Sequence, residues 1–159
     1  MIFRLLKKKA KIKEAGAALY QRPNGFFLCV ENKTISGVWK TVEPCMVVPI
    51  ETSKESLGEA IRAALLKSKV NVENDTNFKG GFDFVLKQAK VRSHKQFMNG
   101  CKLCSITQKG TTLTYYPWIN EGKGFTGFPS AGELNVTCDL SCSDEELGAR
   151  AHECLNRSR

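Results

Sequence analysis

The chain has 159 residues, 42% hydrophobic and 25% charged, a balance that fits a folded chain with its own core and excludes a coiled coil or a disordered polymer. No apolar run approaches the roughly 18 residues of a membrane span, and Met1 to Leu6 runs directly into Lys7, Lys8 and Lys9 without the apolar stretch of a secretory signal. A cytoplasmic protein with no membrane partner is therefore expected. Of the net charge of +8, residues 1 to 14 contribute +5, six Lys and Arg against Glu14, which leaves +3 for the remainder.

The N-terminal cluster, Lys7, Lys8, Lys9 and Lys11, can meet nucleic acid, an anionic membrane or an acidic protein surface, or simply keep an edge strand or tail soluble. Ala18 to Arg22 and Phe26 to Val30 flank Pro23-Asn24-Gly25, and Asn-Gly supplies the positive φ values of a two-residue turn, so a hairpin is predicted. Met46, Val48 and Ile50 alternate as a strand, with Pro49 arguing for a sheet edge or a non-bonded site at that residue. Ser53 then caps a helix whose apolar stripe is Leu57, Ala60, Ile61, Ala64 and Leu65. Asn71 to Gly81 reads as a loop, and Phe82 to Leu86 as a strand that restarts the sheet.

The second half repeats this order. Leu103 to Thr107 and Thr111 to Tyr116 form a hairpin around Gln108-Lys109-Gly110, and Leu134, Val136, Cys138 and Leu140 alternate as a strand. Ser143 and Glu146 make an S-x-x-E capping box before the stripe Leu147, Ala151, Cys154 and Leu155. Strand, cap and helix recur at an offset of 90 residues, Ser53 matching Ser143, while the hairpins align at 85, Gly25 matching Gly110, which implies five inserted residues. The expected fold is α+β: a single domain over 1–159 built from two related strand-strand-strand-helix units, about 16–69 and 101–159. The sheet is mainly antiparallel, with the two amphipathic helices packed on it. Gly58 and Gly148 share one helix position, where glycine costs about 1 kcal/mol against alanine, so close approach of each helix to the sheet is expected.

Several chemical motifs lack the context their chemistry needs. Gly122 to Gly127 spells G-x-G-x-x-G, yet Phe128-Pro129 follows where a dinucleotide site requires a helix N-terminus. Cys101-x-x-Cys104 with Cys138 and Cys142 has the thiols for zinc, but residues three apart on a strand face opposite ways, and the seven cysteines read as reduced and buried. The sequons at Asn32, Asn74 and Asn135 carry no weight in a cytoplasmic chain. His94 and His152 have no nucleophile or ligand set beside them, so no catalytic residue, metal or cofactor is assigned. The aromatic stretch Tyr115, Tyr116, Trp118 with Phe125, and Trp39 in the first unit, is a better lead, because exposed aromatic residues anchor interfaces.

The strand followed by Ser143-x-Glu145-Glu146-Leu147-Gly148 and a helix closing in basic residues resembles the closing signature of bacterial contact-dependent growth inhibition (CDI) immunity proteins. The resemblance implies a non-enzymatic antidote that binds the toxic C-terminal domain of a cognate CDI effector, often a nuclease, with no cofactor. Its partner-binding residues would be drawn from Lys7, Lys8, Lys9, Lys11, Tyr115, Tyr116, Trp118 and Phe125. The alternative is a small basic nucleic-acid-binding module using the same lysines and aromatic residues, whose affinity would fall steeply with salt.

Overall fold

A computed structural model describes residues 12–74, 81–130 and 132–159, so Lys7, Lys8, Lys9 and Lys11 lie outside the described residues. Its elements are β1 (Glu14–Arg22), β2 (Gly25–Lys33), β3 (Trp39–Val48), α1 (Lys54–Lys67), α2 (Asp83–Gln88), α3 (His94–Met98), β4 (Lys102–Lys109), β5 (Thr112–Asn120), β6 (Phe125–Gly127), β7 (Val136–Asp139) and α4 (Asp144–Arg157). The fold is α+β. Seven strands form an antiparallel sheet of order β3-β2-β1-β4-β5-β6, with β7 also paired to β5. β3, which ends just before Pro49, is an edge strand.

The register refines the repeat. Arg22 pairs with Gly25, which puts Pro23 and Asn24 in the turn in place of Asn24-Gly25, as the fixed φ of proline favours. Lys109 pairs with Thr112, and Gly110 in that turn has φ +62°, a left-handed value suited to glycine. The hairpins thus correspond at 87 residues, Arg22 to Lys109 and Gly25 to Thr112, not at 85. Phe26 opposite Val48 corresponds to Leu113 opposite Cys138, so three residues, not five, separate the two units' registers before the third strand. The central pair, Ala18 opposite Ser105, is itself related by 87, which places a local two-fold between β1 and β4.

α1 and α4 pack on one face around Leu19, Phe26, Leu28, Ile106, Leu113 and Tyr115. Ser53 Oγ accepts the Ser56 amide at 3.0 Å and Ser143 Oγ the Glu146 amide at 3.1 Å. The capping box forms only by half, because the Glu146 carboxylate turns to Arg150, whose Nε donates to it at 2.8 Å. The matched glycines do mark a close approach, but to the other helix and not to the sheet. A Cβ on Gly58 would overlap the carbonyl of Asp144, and one on Gly148 the carbonyl of Lys54, two contacts related by the 90-residue offset. Arg62 ties the link before α4, donating to Leu140 O at 3.0 Å and Cys142 O at 2.9 Å and pairing with Asp144 at 2.8 Å.

On the opposite face the segment Phe82 to Leu86 corrects the expected strand. It enters α2, because Phe82, Val85 and Ala89 repeat at helical spacing and Phe82 and Phe84 only mimic strand alternation over a short run. With α3 it covers one end of that face, where Tyr20, Phe27, Phe82 and Phe97 stack edge to face at centroid distances of 5.2 to 6.0 Å.

Candidate functional site

Strand alternation separates the aromatic stretch into two environments. Tyr115 points at the helices, fully buried, and its hydroxyl donates to Leu147 O at 3.1 Å, so the expectation that it is exposed is corrected. Burial pushes its phenol well above the usual tyrosine range. Tyr116 and Trp118 face the other way. Phe125 on β6 packs on Tyr20, with ring centroids 6.0 Å apart, as part of the covered end.

Tyr116 and Trp118 line a hollow of about 650 Å³ that runs from the edge of the covered cluster, on which Trp118 packs, to the uncovered end of this second face, with Glu14, Glu31, Trp39, Ser105, Thr107, Lys109 and Thr114. Its floor is low because the residues of the two central strands are small: Gly16 opposite Thr107 and Ala18 opposite Ser105. Trp39 lies over Gly16, where a Cβ would come within 2.7 Å of the ring, so glycine is what lets the indole settle there. Trp118 is fixed by a 2.8 Å bond from its Nε1 to Ser105 Oγ.

The two carboxylates differ. Glu14 is paired with Lys33 at 2.9 Å, and the same ammonium sits 5.7 Å from the Trp39 ring centroid, a carboxylate, cation and indole in one group. Glu31, between Gly16 and Thr41 in the register, makes no side-chain hydrogen bond or ion pair among the described residues. No polar side-chain atom there is both sealed off and unsatisfied, so its carboxylate opens into the hollow. Burial raises its pKa to about 7.

A second hollow, about 660 Å³ beside α3, holds Lys95 as its lone titratable lining group, and its Asn120 amide already donates to Met98 O and Cys101 O at 2.6 and 2.8 Å. The first hollow thus has the richer chemistry. The sequence alone did not single out Glu14 or Glu31 as site residues. The available signal was phase: Phe27, Cys29 and Glu31 alternate on one face, and a carboxylate closing an apolar face is out of place.

The remaining motifs do not converge. Cys101 belongs to the covered end of the second face and Cys104 to the helix-side core, while Cys138 and Cys142 lie 3.7 Å apart beside Tyr115. All seven thiols are free, and burial pushes Cys101 up to about 12. Among the described residues no three potential metal ligands gather. The glycine motif runs into β6 with no helix after it. His152 stacks on Phe26 at 5.7 Å and His94 on Phe82 at 5.6 Å, both as packing partners.

The sequence profile of the CDI immunity protein family, CdiI, matches residues 22–158, which takes in all of the described elements except β1 before Arg22, where Glu14, Gly16 and Ala18 of the hollow lie. The chain belongs to the CDI immunity protein family. Two solved structures share the fold, each at 16% identity, a TM-score of 0.80 and 94% coverage of this chain. One, covered over 98% of its length, is a protein of unknown function from Neisseria meningitidis; the other, covered completely, belongs to a CdiA-CT/CdiI toxin and immunity complex from Yersinia pseudotuberculosis. No curated protein matches the sequence. No described helix of this CdiI family member is long and apolar enough to cross a membrane.

Proposed function

We propose that this chain is a cytoplasmic immunity protein that binds the toxic C-terminal domain of its cognate CDI effector, a nuclease, and blocks it by stoichiometric contact without catalysis or cofactor. The observation that carries the reading is the uncovered end of the second sheet face. Under the local two-fold, Tyr20 and Phe27 at the covered end correspond to Thr107 and Thr114 at the open end. Helices α2 and α3 cover the first pair, and no described element covers the second. A partner protein seated there would do for the open end what α2 and α3 do for the other.

The lining suits such a role. Tryptophan and tyrosine anchors carry most of the energy of protein interfaces, often about 2 kcal/mol or more each, and Trp39, Tyr116 and Trp118 border one hollow. The two glutamates give the surface an acidic centre in a chain of net charge +8, and a nuclease presents basic residues to its phosphate substrate. The test is calorimetric titration with a catalytically inactive form of the C-terminal domain encoded upstream, with growth of cells making the active domain as a second readout. Nanomolar one-to-one binding and restored growth are expected. Absence of both would end the antidote reading, and salt-sensitive binding to RNA would favour the nucleic-acid module instead.

A further inference from the structure

We propose that the hollow receives a single arginine side chain of the partner protein, its guanidinium held by Glu31 and stacked on the indole of Trp39. This rests on the reading that the partner is a protein bound to the open sheet face.

The unpaired carboxylate is the starting point. A carboxylate that lines a partly apolar hollow with no described partner costs stability in the free protein, so its natural complement is a cation. The chain already builds this arrangement once, with Glu14, the Lys33 ammonium and the Trp39 ring in contact. On the Glu31 side the carboxylate and the Trp39 ring over the neighbouring Gly16 are present, and no described residue pairs with that carboxylate.

Arginine fits better than lysine. A planar guanidinium can stack on an indole while its N–H groups bond a carboxylate in the ring plane, and it loses less hydration than an ammonium on entering a partly apolar hollow. An anionic group would meet Glu14 and Glu31, with Lys109 the one basic residue among the described residues of the lining.

The titratable and charged groups that face Glu31 come from each neighbouring strand. β1 brings Glu14 and Tyr20, β2 Cys29 and Lys33, β4 Lys109 and β5 Tyr116, while β3 presents Trp39 and Thr41. Burial holds the Tyr20 phenol protonated, and the Cys45 thiol together with burial does the same for Cys29. A guanidinium arriving at Glu31 would lower its pKa and expel its proton.

The experiment is titration of the full chain with the inactive upstream-encoded toxin domain at pH 7, in two buffers of different ionisation enthalpy. Binding should release roughly half a proton per complex, the fraction held by a carboxyl of pKa near 7. Glu31→Gln should abolish that release and weaken binding at least tenfold at unchanged stoichiometry. One arginine-to-alanine change in the toxin domain should reproduce the loss and add little to it when combined with Glu31→Gln. Tight wild-type binding with no proton released, or with Glu31→Gln binding as well as wild type, would overturn the arginine site while leaving the antidote reading intact. Absence of wild-type binding would overturn both. The proton count needs no variant, so it holds even if Glu31→Gln alters folding.

Discussion

On the face of the sheet that carries α1 and α4, the two halves of the chain match position by position: Phe26 with Leu113, Leu28 with Tyr115, Leu57 with Leu147, Ala64 with Cys154, all buried in one cluster. On the opposite face the same equivalences pair unlike residues. Tyr20 corresponds to Thr107, Phe27 to Thr114 and Glu31 to Trp118. The symmetric face is where each helix buries what the other needs, and reciprocal contacts there stabilise the fold. The asymmetric face carries α2 and α3 at one end and the hollow at the other, so the surface available to a partner arises where the two units diverge.

The comparison breaks most sharply at the helix contact. Gly58→Ala and Gly148→Ala each place a methyl group against a backbone carbonyl that cannot rotate away, and each should cost roughly 3 kcal/mol in denaturant unfolding, the upper range for overpacking. Equal losses would sharpen the symmetric account, and a loss in only one variant would break it. Toxin binding by the surviving folded fraction should be unchanged.

Next in size is the pH behaviour of Glu31. Its folded pKa of about 7 lies above the ordinary value of 4.5, so between these limits the folded state holds more protons than the unfolded one, and its contribution to stability falls as pH rises through that window. Glu31→Gln should therefore raise unfolding free energy by roughly 1 to 3 kcal/mol at pH 8 and leave it unchanged near pH 4. The same substitution on a residue with no role in binding would be a plain gain. Here a gain in stability with a loss of affinity is expected.

Adjacent tyrosines separate the two faces again. Tyr115→Phe removes the bond to Leu147 O and should cost about 1 kcal/mol in thermal unfolding without affecting partner binding. Tyr116→Phe, on the hollow side, should leave stability unchanged. Smallest of all is Arg150→Ala, whose pairs with Glu146 and Glu153 sit on the solvent side of α4 and should be worth less than about 1 kcal/mol.

What could be read from the sequence follows from how local each signal is. Ser53 and Ser143, the two apolar stripes and the two hairpins depend on neighbours a few residues away, and the structure contains all of them. Phe82 to Leu86 is too short a run for its period to be decided, and packing against Tyr20 and Phe97 settled it as helix. Tyr115 and Tyr116 look alike in sequence, and only the sheet register assigns one to the core and one to the hollow. Glu31 needed more still, since the missing partner of a carboxylate is a property of the whole sheet face. The glycines announced a close approach, but naming the opposite helix required the two-fold.

The central claim is that the partner docks on the open end of the second sheet face. Hydroxyl-radical footprinting of the chain with and without the inactive toxin domain tests it directly, because Trp39, Tyr116 and Trp118 are reactive and half-buried in the free protein. Protection of these three in the complex, with the outer surfaces of α1 and α4 unchanged, is the predicted result. Protection confined to α1 and α4, with the hollow as reactive as before, would contradict the account.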